Sequence, residues 1–199
     1  MAKGTSAQKL EMPSAESIAA SAQEVAKRGL PPVEKWNPPF CGDLDMRIAR
    51  DGTWFYLGTP IGRPGLVKLF SSILRKDGDD YFLVTPVEKV GITVEDAPFV
   101  ALDFELEGEG DEKSLRFETH VGDFVIADAD HPIRVDYSDD GEPSPYILVR
   151  RNLEALIDRK SFYRLVELGI HEEYQDDTWF GVRSCSTFFP IIPSADLED

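Results

Sequence analysis

Asp128-Ala129-Asp130-His131 is the string whose residue types best match a metal-ligand set, because carboxylates and an imidazole together suit a hard or borderline divalent cation. It supports one functional reading, a metal-dependent hydrolase with Asp128, Asp130 and His131 as ligands. The spacing argues against it. On a strand, Asp128 and Asp130 share a face while His131 points to the other, so the favoured role is structural, an aspartate holding the start of a strand. His120, His131 and His171 are the three histidines and fall in different segments, which leaves no base beside a nucleophile. Cys185, followed by Ser186, reads as buried packing rather than a thiol nucleophile, with only Arg183 near enough in sequence to stabilise a thiolate. Gly58 to Gly65 contains Pro60 and Pro64 and lacks the spacing of a phosphate loop. No catalytic residue and no cofactor is assigned.

Four arginines carry a different chemistry. Arg47 and Arg134 alternate with apolar residues in strand-like segments, and Arg63 and Arg150 stand where helices are expected to begin. A planar guanidinium at a helix N-terminus suits a carboxylate or phosphate. Lining a groove, with Trp36, Trp54 and Trp179 as aromatic anchors near turns and arms, they form a binding site for an anionic ligand, a peptide or a protein. The competing reading pairs the arginines with surplus acids as surface bridges, each worth about 0–1 kcal/mol.

These residues need elements to hold them. Ser14 caps a helix through Ile18, Ala22 and Val25, stopped by Gly29 and the prolines after it. Two Pro-Pro pairs around Trp36 predict an extended arm. Met46 to Leu57 reads as a hairpin turning at Asp51-Gly52. Leu66, Leu69, Phe70, Ile73 and Leu74 fall on one helical face, with Arg75 and Lys76 in the last turn and Gly78 closing it. Strands follow at residues 81–84, 92–94, 99–106, 115–119 and 124–126. A second short helix spans Phe162 to Leu168, ended by Gly169, and the Pro-broken run Phe188 to Pro193 is expected to lie extended over a groove.

Shifting the chain by 87 positions aligns Asp43 with Asp130, Arg47 with Arg134, Arg63 with Arg150 and Leu66 with Leu153. The fold class that follows is α+β. Two related β-β-α-β units arise from an internal duplication, and antiparallel strands enlarge the C-terminal one into a barrel-like domain. Residues 1–30 form a tail and short helix, 31–86 the N-terminal unit and 87–199 the C-terminal domain.

The chain has 199 residues, 21 Lys plus Arg against 37 Asp plus Glu, and a formal charge of −16. Hydrophobic residues at 42% supply a core and exclude global disorder. The acidic field disfavours general nucleic-acid binding, and no apolar run reaches the roughly 18 residues of a membrane span. Two distant cysteines and the lack of a secretory pattern place the protein in the cytoplasm. Homo-oligomerisation through the N-terminal helix and C-terminal arm is a further possibility.

Three stretches are similar to a known family: VEKWNPPFCGDLDMRIARDGTWFYLGTPIGRPGLVKLF, ETHVGDFVIADADHPIRV and RRNLEALIDRKSFYRLVE. Together they resemble the bacterial family catalogued as domain of unknown function 1285, over about Leu30 to Pro190. The resemblance implies a duplicated α+β core, a C-terminal half superficially like a pleckstrin-homology barrel, a binding site where the halves meet and a role in signalling. It carries no catalytic residues. The leading reading is a non-enzymatic binding module, with the hydrolase as alternative.

Overall fold

The computed structural model describes residues 13–27, 29–108 and 113–197. It begins with α1 (Ala15–Ala26), whose capping box joins Ser14 and Ser17 reciprocally. Ile18 and Ala22 are fully buried, and α1 packs on α2 (Pro64–Ser72). That burial answers the weak apolar content of α1, since a helix this short is marginal alone. The arm after it makes one 3-10 turn at Val33–Lys35, with Val33 fully buried.

Six strands form the first sheet: β1 (Phe40–Ile48), β2 (Trp54–Tyr56), β3 (Thr59–Pro60), β4 (Leu74–Asp77), β5 (Asp80–Val84) and β6 (Lys89–Val94). Six form the second: β7 (Phe99–Glu107), β8 (Ser114–Thr119), β9 (Phe124–Ile126), β10 (Ile133–Tyr137), β11 (Pro143–Arg150) and β12 (Leu153–Ile157). The spatial orders are β3-β2-β1-β6-β5-β4 and β10-β11-β12-β7-β8-β9. Each sheet is two antiparallel meanders joined along a central parallel pair, β1 with β6 and β12 with β7. One of the two curls into a half-barrel. After β12 comes α3 (Arg159–Glu167), capped by Asp158, whose side chain accepts from Ser161 N. A third sheet holds β13 (Ile170–Tyr174), β14 (Asp177–Ser184) and β15 (Thr187–Pro193). One apolar core, from Ile18 through Met46, Phe70 and Phe99 to Phe117 and Ile191, runs through the molecule.

The fold is α+β and duplicated, but the period is not 87. The matching strands β1 and β7 start at Phe40 and Phe99, and the matching strands β4 and β10 carry Arg75 with Asp77 and Arg134 with Asp136, an offset of 59 in each case. Both Arg-Asp pairs are bonded within their strand. The shift of 87 caught a coarser pattern instead. From β1 and from β10 alike, the order is three strands, a helix, then strands. The helix aligned with Leu66 is therefore absent at Leu153, which opens β12; α3 comes one element later.

Two other expectations change. The helix ends at Ser72, and Leu74 to Asp77 turn into β4, because Leu74 sits opposite Leu83 in a ladder that buries both. Gly78, at φ +61, serves the β4–β5 hairpin rather than a helix end. Cys185 is exposed, not packed: with Ser186 it forms the left-handed turn between β14 and β15.

Candidate binding groove

The seven residues singled out in the sequence do not converge. Arg47 is ion-paired with Glu95 and lies 4.2 Å over the Phe55 ring. Arg134 forks onto Glu154 with two bonds of 2.7 Å, bonds Asp136 and stacks 4.3 Å over Tyr146. Trp179 lies in the third sheet, edge-on to Tyr174. Trp36 lines a separate cleft with Arg75 and Arg151. The remaining three gather around α2, where the halves meet.

Two adjoining pockets, each of about 420 Å³, flank α2. The first lies between the β1–β2 turn and the N-terminal end of α2 on one side and the His120-Val121 turn on the other. Pro64 at the first helical position fixes that end. Arg63 is its exposed N-cap, with Gly62 and Pro64 on either side lining the pocket. Trp54 forms an inner wall, 1% exposed and stacked on Phe70 of α2 with ring centroids 6.2 Å apart. Across the seam stands His120, at the end of the β8 segment. Its Nδ1 accepts from Val100 N at 3.1 Å, which leaves the proton on Nε2. Burial holds the ring below its ordinary value of 6.5, against the pull of Asp123 and Asp51, so it is neutral at pH 7.

Two donors here lack a well-formed hydrogen bond. Trp54 Nε1 and His120 Nε2 are both buried with no partner at full hydrogen-bond geometry, with the Gly52 backbone close enough to the His120 ring to favour its protonated form; a buried group left without an acceptor costs about 1–3 kcal/mol. The β1–β2 turn closes over His120: a Cβ built on Gly52 lies 3.2 Å from Nε2 and 3.1 Å from Val100 Cγ2, and Gly52 has φ +84. At that φ any larger residue is strained, and at that distance its neighbours must give by a few tenths of an ångström. Lys68, on the exposed side of α2, places its Nζ 3.5 Å from a Cβ built on Gly122 and has no ion pair among the described residues.

Lys68 also lines the second pocket, with Asp123 and Arg150. Arg150 bonds the Asp123 carboxylate, donates from Nη2 to Ser71 O at 2.8 Å and lies 4.6 Å over the Phe99 ring. It ends β11 rather than beginning a helix, and it ties the C-terminal sheet to the last turn of α2. Lys68, Arg150 and Asp123 leave one net positive charge in the groove of an acidic molecule.

Asp128 belongs to another structure. In the turn from β9 to β10 its Oδ1 accepts from Asp130 N at 2.9 Å and His131 N at 2.8 Å, with His131 Nδ1 at 3.0 Å. The three residues lie in a turn, not on a strand, and Asp128 Oδ1 is engaged in closing it. Among the described residues no three His, Cys, Asp or Glu side chains are arranged to hold a metal ion.

Sequence reasoning missed His120, Lys68 and the closeness of Gly52. Gly52 was visible as a turn glycine. Nothing local marks the meeting of His120 with it, across the seam between the sheets.

Two family models cover most of the chain: the N-terminal domain of DUF1285, a domain of unknown function, over residues 31–97, and its C-terminal domain over residues 98–191. The chain belongs to the DUF1285 family. It is similar to the crystal structure of a DUF1285 family protein from Silicibacter pomeroyi DSS-3, 57% identical, with a TM-score of 0.82 over 92% of this chain and 98% of that one. A second, from Shewanella baltica OS155, is 35% identical with a TM-score of 0.50, covering 62% of this chain and 91% of that one. No curated protein matches. The two models meet at the link between β6 and β7, so the family's division coincides with the division between the two sheets. No helix among the described residues is long and apolar enough to cross a membrane.

Proposed function

We propose that the protein is a non-enzymatic binding module whose site is the groove between α2 and the His120–Asp123 turn. Its ligand is a small carboxylate with an apolar body, or the C-terminal carboxylate of a peptide. The observation that carries this reading is the pair of buried ring N–H groups with no well-formed acceptor, Trp54 Nε1 and His120 Nε2, on residues that line one pocket beside Lys68, which has no ion pair among the described residues. An acceptor brought by a ligand relieves both, and Lys68 supplies the charge. Because Gly52 covers His120 Nε2, engagement moves the β1–β2 turn. The free thiols of Cys41 and Cys185 support a reducing compartment, the cytoplasm, for this role.

Titration calorimetry with phenylacetate, against 2-phenylethanol as neutral control, tests the reading. Saturable heat from phenylacetate alone, weakened by Lys68→Ala about tenfold, is expected. Equal binding of acid and alcohol, or no binding of either, would overturn it. The hydrolase alternative is set aside because Asp128 is committed to its turn.

A further inference from the structure

We propose that the cleft on the other side of the β11–β12 turn is a second binding site, for a polyvalent phosphate anion. It encloses about 600 Å³ between the arm, β4 and the turn that carries Arg151 and Asn152. Its lining residues include four cations, Lys35, Arg75, Lys76 and Arg151, against two acids, Glu34 and Asp77, a sum of +2 in a chain of −16, with the Lys76 ammonium 5.3 Å from the Tyr81 ring centroid. Asp77 is further neutralised by Lys89 at 2.7 Å.

Part of this charge has a structural task. Arg75 Nη1 donates to Val33 O at 3.0 Å and Trp36 O at 2.7 Å, and Arg151 Nη2 donates to Pro31 O at 2.7 Å, which pins the arm. That task leaves a remainder. Arg151 Nη1 and Arg75 Nε are buried with no partner, and Lys35 and Lys76 have no ion pair among the described residues. Arg151 is also held at φ +54, a left-handed conformation that a non-glycine residue adopts at a cost. Such strain persists where the surroundings impose it and is concentrated at binding sites. Burial, and the neighbouring charge of Arg150, press on the Arg151 guanidinium from the same direction. An anion is what this arrangement lacks.

Several separated cations around one wide cleft suit a ligand with several charges rather than one. Guanidinium and ammonium groups together match phosphate oxygens, and the half-buried Trp36 gives the cleft an aromatic wall. Glu34 holds Arg151 Nε at 3.1 Å and competes for the same charge. The incoming anion replaces it and reaches Nη1.

Pyrophosphate is the probe, titrated calorimetrically into the full chain at about 150 mM salt, where long-range charge effects are screened beyond about 8 Å. Saturable binding is expected. Lys35→Ala combined with Lys76→Ala, which removes no ion pair among the described residues and only the Lys76 contact over the Tyr81 ring, should weaken it about tenfold or more, and Glu34→Gln should tighten it. Circular dichroism checks that each variant is folded. No saturable heat up to about 10 mM, or affinity unchanged in the double variant, would overturn the site; equal affinity for citrate would overturn the phosphate assignment. These residues are distinct from those of the α2 groove, so either reading survives failure of the other.

Discussion

The two six-stranded sheets are one ladder built twice, and they differ most where the chain crosses from the first meander to the second. In the N-terminal sheet the crossing from β3 to β4 runs through α2; in the C-terminal sheet the crossing from β9 to β10 is the turn 127–132. The helix brings an apolar face and Lys68 to the seam and so creates the groove. The turn uses Asp128 Oδ1 to hold itself closed. Asp128 and His131 look like ligands in the sequence because a turn needs the same acceptors that a metal does.

A second contrast lies within the ladder. Arg75 and Arg134 are equivalent, each beside an aspartate two residues on, and each opposite an aromatic residue, Phe82 or Tyr146. The next strand offers Lys89 to the first and Glu154 to the second. With a cation beside it, Arg75 turns its donors to the arm; with a carboxylate beside it, Arg134 is satisfied within the sheet. One exchange of sign on β6 against β12 thus separates an arginine that braces a cleft from one that only ties strands.

The largest way to break the first contrast is Arg150→Ala. Its side chain is 12% exposed against 43% for Arg134, and it joins Asp123 to the end of α2. Its loss should cost about 3 kcal/mol in denaturant unfolding, while Arg134→Ala should cost about 1 kcal/mol or less. Equal losses would mean that the seam is no stronger than a surface ion pair. Gly52→Ala should cost about 1–2 kcal/mol from the left-handed backbone alone, with added displacement of His120 visible as a change in its NMR titration. Asp128→Ala should cost about 1 kcal/mol and leave phenylacetate binding untouched, because its turn lies apart from the groove. The smallest effect belongs to Lys89→Glu, which copies Glu154 into the first sheet. Arg75 gains the partner Arg134 has, so the change in thermal stability should correspond to under about 1 kcal/mol. A larger loss would show that the two ladders are not interchangeable.

His120 gives a pH dependence with a definite sign. Its folded-state value lies below 6.5, so the unfolded chain binds a proton more readily. Stability from this group is present above the unfolded value and is lost as the pH falls through it toward the folded one. His120→Gln should flatten the decline in unfolding free energy below pH 6.5 relative to the parent.

Much of this was legible in the chain. The Ser14 cap, the Asp51-Gly52 hairpin and the apolar periods of α1 and α2 are local, and local rules found them, along with most strands; α3 was read from the extra length of the second repeat and starts three residues earlier, at Arg159. The end of α2 was not, because Leu74 continues the helical pattern and only its pairing with Leu83, across the β4–β5 hairpin, pulls it into a strand. The duplication was read at the wrong period for a related reason: strand and helix order repeats along the chain, whereas the sheets repeat through pairings between distant segments. Trp54, Arg63 and Arg150 were singled out by type; Arg63 does stand at a helix start, whereas Arg150 ends β11. His120 and Lys68 were missed because their meeting depends on how two sheets dock.

The groove reading is tested most directly by following the three indole N–H signals in a nitrogen-15 tryptophan-labelled sample during phenylacetate addition, with Trp54→Phe for assignment. The Trp54 signal should move progressively downfield as its N–H gains an acceptor, with those of Trp36 and Trp179 stationary. A stationary Trp54 signal at concentrations that saturate the calorimetric response, or equal movement of all three, would contradict it.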